Sequence, residues 1–318
     1  CMLKIGYKLS SEEHRPADLI AQARRAEQCG FSFAMISDHF HPWIDAQGQS
    51  PFVWPVIGAI AQVTKNLVIG TAVTCPTIRI HPGIIAQAAA TAASMMPGRF
   101  ILGLGAGENL NEHIFGHRWP PVRVRHAMLK EAVEIIRLLW SGKQENFSGG
   151  YYQVENARIY SLPDDLPPIA LAASGSNAAT LAGEIADGFI GTTADAELID
   201  IFHRSGGSGK SRYGELTVCW AEDQDQAEET AYKLWPISGL NGPLMSELAL
   251  PAYFQQAATM IDKTAIAKNV ICGPDPERHW QAIQEYERAG YDHVFVHQVG
   301  PDQEGFFQFY QRKILPRL

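Results

Sequence analysis

The stretch Ser37-Asp38-His39-Phe40-His41-Pro42-Trp43 places a carboxylate, two imidazoles and an indole directly after the apolar run Phe33-Ala34-Met35-Ile36. An apolar run opening into such a loop reads as the end of a buried strand, where α/β enzymes keep their chemistry. The strand end fixes the backbone of Asp38 and His39, and Pro42 stiffens the loop, so little conformational entropy remains to be lost on binding. An imidazole titrates near neutral pH and suits general-base work; His39 is closest to the strand and His41 is the rival. A capping Asp and a packed His are the plain alternative.

Two further constellations also follow apolar runs. In Gly103-Leu104-Gly105-Ala106-Gly107-Glu108-Asn109-Leu110-Asn111-Glu112 the third glycine comes one residue early for a dinucleotide loop, and the sequence predicts no helix immediately after it. The reading is close approach of the backbone around Gly107 to a planar ligand, with Glu108 projecting over it and Asn109 and Asn111 supplying amide hydrogen bonds. A glycine-rich turn with a solvated Glu is the alternative. The third is Ala172-Ala173-Ser174-Gly175-Ser176-Asn177 ahead of an apolar helix. Free N–H groups at a helix N-terminus make an anion cradle of Ser174, Gly175 and Ser176, unless Ser176 is simply the N-cap.

The elements that must hold these loops alternate along the chain. Strands are predicted at 3–9, 33–38, 67–74, 100–105, 169–174, 188–193, 216–221 and 293–299, most of them continuously apolar, as strands buried on both faces are. Helices are predicted at 16–29, 54–64, 82–95, 123–140, 177–186, 224–234 and 276–289, several with Pro at the start or Gly at the end. This alternation predicts a single α/β domain over residues 1–318, a closed (β/α)8 TIM barrel, with an open doubly wound sheet as the competitor. Residues 147–154 read as a hairpin, and residues 236–262 as an irregular insertion of the kind that forms lids. The strand ends near Asp38, Val73, Glu108, Ser174 and Thr193 should share one rim.

A net charge of -8 without any basic block argues against nucleic acid or an anionic membrane as partner and for a small-molecule substrate. Cys1, Cys29, Cys75, Cys219 and Cys272 stand singly, with no His at ligand spacing, so neither a metal site nor a disulfide framework is expected. The opening residues enter a strand pattern without the succession of a signal peptide, and no apolar stretch approaches bilayer-crossing length; a cytoplasmic enzyme is the expectation.

The motifs SDHFHPW, GTAVTCPTIR, GAGENLNE and AASGS, in this order and spacing across essentially the whole chain, resemble the luciferase-like family of flavin and deazaflavin oxidoreductases. Within it they are similar to the branch of alcohol and glucose-6-phosphate dehydrogenases that use the deazaflavin F420. The resemblance implies a (β/α)8 barrel with the cofactor at the C-terminal strand ends and a non-proline cis peptide at Ala72-Val73. It implies that Asp38, Ala72, Val73, Gly107, Asn111 and the Ser174–Ser176 cradle contact the cofactor. It also implies that His39 takes the substrate proton, that Glu108 is the acid facing the ring, and that Trp43 shapes the pocket. His41 and Asp195 are placed in the substrate pocket with it.

Sugar-phosphate enzymes of this branch carry a lysine just after strand six, where this chain has Thr192-Thr193-Ala194-Asp195. A carboxylate facing a phosphate dianion repels it, so the expected substrate is not phosphorylated. The runs Ser205–Lys210 and Asn111–His113 resemble a subgroup using FMN, which leaves F420 and FMN both open. The functions expected are therefore a hydride-transferring dehydrogenase acting on an alcohol or aldehyde carbon, an FMN-dependent monooxygenase, or a non-catalytic flavin-binding protein. A homodimer is the expected assembly.

Overall fold

The computed structural model describes residues 3–240 and 242–318. Eight parallel strands follow one another around a closed barrel: β1 Lys4–Leu9, β2 Phe33–Ile36, β3 Val68–Thr71, β4 Phe100–Leu104, β5 Ile169–Ala172, β6 Gly188–Gly191, β7 Ser211–Cys219 and β8 His293–Gln298. Neighbours in sequence pair throughout, and the Lys4↔His293 register closes β1 onto β8. An open sheet is thereby excluded.

The strands are apolar on both faces because each face is buried against something different. Inside, Phe33, Met35, Ile101, Ala170, Ile190, Tyr213 and Phe295 pack across the barrel, while the outward side chains meet the surrounding helices in a separate and larger core. Helices Pro16–Cys29, Pro82–Met95 and Gln224–Leu234 have the predicted ends. The first ends in Gly30 at φ 98°, which a side chain would strain. Helix Ala196–Phe202, between β6 and β7, and helix Gln303–Phe309, after β8, were not predicted, although Asp195 and Asp302 mark both as N-caps.

Two boundaries differ from the sequence reading for physical reasons. The strands stop about two residues earlier than predicted, so Asp38, Thr74, Ser174 and Thr193 lie in the loops, where the hydrogen-bonded ladder has ended. Strand β7 begins at Ser211 rather than 216, because its first half carries Arg212 and Glu215, polar residues whose partners lie within the fold. The hairpin is present as Glu145–Ser148 paired with Gln153–Ala157. The insertion, between β7 and β8, contains helix Pro251–Ala258, and its Phe254 packs with Trp235, Ile237 and Ile266 against Ile44 and Leu110 of the rim loops.

Close approach of β3 and β4 fixes the residue at 103: a β-carbon there would lie 1.8 Å from the Thr71 carbonyl oxygen, and the Gly103 carbonyl accepts from the Thr74 amide at 2.9 Å. Gly103→Ala is expected to cost about 3 kcal/mol in urea unfolding; a loss below about 1 kcal/mol would show that the strand pair can part without penalty.

Candidate active site

All eight strands deliver their C-terminal ends to one rim, and the acid–base residues gather there. His39, just past β2, is 8% exposed, and its ring stands edge-on to Trp43 at 4.9 Å between centroids. Its Nδ1 lies 3.4 Å from Glu12 Oε1 in the loop after β1, an ion-pairing distance without hydrogen-bond alignment. Glu12 is buried and accepts from the Ser37 hydroxyl at 2.6 Å and the Ser10 hydroxyl at 3.1 Å. Burial alone would raise its pKa, but His39, Lys8 and the Ser37 hydroxyl together hold it at about 2, so the carboxylate is ionised beside the imidazole.

Beneath them the barrel mouth is charged rather than apolar. Lys8 on β1 donates to Glu215 on β7 at 2.6 Å, and His297 on β8 meets Glu13 at 2.7 Å. Burial disfavours the Lys8 ammonium, yet Glu215, Glu12 and Glu13 raise its pKa overall.

Asp38 is fixed by Thr74 Oγ1 at 2.7 Å and by the Arg79 guanidinium at 2.9 Å, so both of its oxygens already accept from the protein. A ring contact by Asp38 must share them. Arg79, itself buried, also reaches to 3.6 Å from Glu112, whose carboxyl is pushed up by burial against the opposing backbone amides of Ile78 and Arg79. The peptide Ala72-Val73, between these groups and β3, is cis, as the family resemblance implies.

Glu108 is partly buried, and its Oε2 lies 3.4 Å from Asn111 Nδ2. Asn111 Oδ1 in turn accepts from the amides of Phe40 and His41 at 2.9 and 3.2 Å, tying the β4 loop to the β2 loop. Contrary to the sequence reading, a one-turn helix, Asn109–Glu112, does follow Glu108 at once. Gly107 has φ 83°, and a β-carbon there would sit 2.5 Å from Cys75 Sγ, so the protein's own packing demands the glycine. His41 turns its Nδ1 to the Leu110 carbonyl at 2.9 Å and stacks on His113, so that of these two imidazoles only His39 stands beside the ionised Glu12.

Next to the β4 loop on the rim, after β5, helix Ser176–Ile185 starts from an extended Gly175 with no side-chain cap. Ser176 is the first helical residue rather than the N-cap, and a β-carbon at Gly175 would meet nothing within 4 Å. Open amides at a helix N-terminus fit a phosphate-bearing cofactor. Asp195, just past the C-terminal end of β6, also serves as a cap: its Oδ1 accepts from the Glu197 and Leu198 amides at 2.9 and 3.1 Å at the start of helix Ala196–Phe202. The Ser205–Lys210 run lies before β7, at the other end of the barrel, where Lys210 donates to the Gly183 carbonyl. Trp43 packs on Phe254 of the insertion at 5.2 Å, so the insertion walls the pocket.

Glu12 and Arg79 were missed as site residues. The signal for Glu12 was available: Ser10-Ser11-Glu12-Glu13-His14 follows β1 as Ser37-Asp38-His39 follows β2. Arg79 stands five residues beyond Thr74 in an irregular turn, where spacing carries no geometric information. Among the described residues no group of three His, Cys, Asp or Glu side chains could hold a metal, and no helix is long and apolar enough to cross a membrane.

Fold and site together define a (β/α)8-barrel protein with an acid–base centre and an anion-ready helix terminus on the C-terminal rim. The sequence profile of the luciferase-like monooxygenases matches residues 1–293, and the chain belongs to that family. It is 38% identical over 328 residues to a protein of Nakamurella multipartita named F420-dependent glucose-6-phosphate dehydrogenase, covering 99% of this chain and 96% of the other. A namesake from Mycolicibacterium smegmatis is 35% identical over 330 residues, covering 99% and 98%. Among solved structures, an F420-dependent secondary alcohol dehydrogenase bound to an F420–acetone adduct superposes with TM-score 0.92 at 33% identity over 99% of both chains. The F420-dependent tetrahydromethanopterin reductase of Methanopyrus kandleri, at TM-score 0.81 and 20% identity over 100% and 99% of the two chains, shares the fold.

Because Glu12 has a folded pKa of about 2 against 4.5 unperturbed, its ionisation stabilises the protein above pH 4.5, and that contribution is lost as pH falls towards 2. Unfolding free energies of wild type and Glu12→Gln should therefore differ most at neutral pH and converge through that interval. A difference independent of pH would show that the carboxylate is not held ionised.

Proposed function

We propose that the protein is an F420-dependent dehydrogenase acting on a hydroxyl-bearing carbon, with His39 as the base. The observation that carries this reading is His39 fixed between the ionised Glu12 and the Trp43 ring at the mouth of the barrel. Glu12 occupies the Nδ1 side, which turns Nε2 to the substrate, and a carboxylate behind an imidazole steadies the imidazolium that proton removal creates. The pocket residues fit the cofactor: Ala72, Val73, Gly107 and Glu108 border the space for the ring, and the uncapped helix terminus at Ser174, Gly175 and Ser176 suits its phosphate. A deazaflavin held by these residues would supply the hydride chemistry. Trp43, with Phe254 behind it, keeps water from His39 and sets the width of the substrate space.

F420 is favoured over FMN because the relatives reported above at more than 30% identity carry F420 in their names. The expectation of an unphosphorylated substrate rested on Asp195 facing the phosphate. That carboxylate caps a helix through its Oδ1, so the positive helix terminus offsets part of its charge and the repulsion is weaker than expected.

Two variants test the assignment in protein reconstituted with F420 and followed by cofactor absorbance. His39→Ala should lower kcat by about 10²- to 10⁴-fold with cofactor affinity nearly unchanged, whereas His41→Ala should leave most of the activity. A larger loss in His41→Ala reverses the roles, and oxygen uptake coupled to turnover favours a monooxygenase. Gly175→Asp should weaken cofactor binding by about 1–3 kcal/mol; an unchanged Kd in the folded variant would reduce this terminus to a structural one.

A further inference from the structure

We propose that Arg125 is the seat of an oxyanion, the phosphate or carboxylate group of a ligand bound at the rim, and that the Glu247 carboxylate is the group this anion displaces. Arg125 stands in the first turn of helix Val122–Leu139 and is 3% exposed. Nη2 donates to Glu247 Oε1 at 3.0 Å, but Nε and Nη1 are buried without partners. The guanidinium carbon lies 4.3 Å from the centroid of the Trp119 ring, whose Nε1 is likewise buried and unpaired. A buried cation normally has its donors satisfied, because each unmet one costs free energy. Here three unmet donor nitrogens belong to two side chains in contact.

The surroundings favour an anion. Helix Val122–Leu139 has Pro121 at its N-cap and no side-chain cap, so its first amides add to the positive field. Residues 113–126 contain three arginines and three histidines and no acidic residue, in a chain of net charge -8. The planar guanidinium fork suits bidentate binding of phosphate or carboxylate, and a single carboxylate oxygen from Glu247 uses only part of it. Glu247 is 48% exposed on the one-turn helix Leu244–Glu247, so its side chain can swing into solvent without disturbing the core. The seat adjoins the candidate active site: a β-carbon on Gly107 would lie 3.4 Å from Trp119, and Asn109, next to Glu108, donates to the Glu247 carbonyl at 3.0 Å.

Inorganic phosphate added to the full chain without cofactor tests the seat independently of any hydride transfer, by ³¹P NMR titration. Glu247→Gln, which removes the competing charge at an exposed position, should bind phosphate about tenfold more tightly than wild type, a change of about 1.4 kcal/mol. Adding Arg125→Lys, which keeps the charge but loses the fork, should abolish that gain; near-UV circular dichroism shows whether this double variant is folded. Equal phosphate affinity in wild type and Glu247→Gln overturns the proposal, as does an undiminished gain in the folded double variant. Turnover then separates the source of the anion. A raised KM in Arg125→Lys for a sugar phosphate but not for the free sugar assigns the seat to the substrate, and weakened F420 binding assigns it to the cofactor. No change in either overturns it.

Discussion

Charge buried in the mouth of the barrel is the constraint on which the site depends. An ionised carboxylate removed from water costs several kcal/mol unless opposite charge and hydrogen bonds surround it. Glu12 meets that requirement with His39, Lys8, Ser10 and Ser37, and Lys8 in turn needs Glu215. These residues come from β1, β2, β7 and the loops that follow them, so closing the barrel and assembling the acid–base pair are one event. An isolated βα unit could not hold His39 in this environment, because the charges that compensate one another arrive on strands remote in sequence.

The same condition explains what could be read from the sequence. Helices 16–29, 82–95 and 224–234 were legible because Pro or an acidic N-cap starts each and an apolar face runs through it. The inner strands were legible because burial on both faces leaves an unbroken apolar run. The first half of β7 was not: Arg212 and Glu215 read as loop, since hydropathy reports transfer from water but not the partner waiting at Asp292 or Lys8. His39 and Trp43 could be singled out by type and position. Glu12, Arg79 and the conversion of Asp195 into a helix cap depend on geometry between distant segments, which no local pattern encodes.

The loops of the rim are held less by the strands beneath than by one another. Arg79 from the β3 loop clamps Asp38 of the β2 loop and approaches Glu112 of the β4 loop, and Asn111 bonds back to the amides of residues 40 and 41. The anchoring groups are polar side chains satisfied mutually, so each is costly to lose and none is replaceable by an apolar residue of equal size. This gives Asp38 and His39 the rigidity that a loop residue otherwise lacks.

The insertion between β7 and β8 meets this framework through its apolar cluster on Ile44 and Leu110, Phe254 on Trp43, the Leu234 carbonyl just ahead of it on Gln47, and Glu247 on Asn109 and Arg125. None of these contacts involves Glu12 or His39. Substitutions within residues 236–262 other than at Phe254 can accordingly accumulate without touching the acid–base pair, so a lineage could exchange one substrate for another by drift in a single peripheral segment.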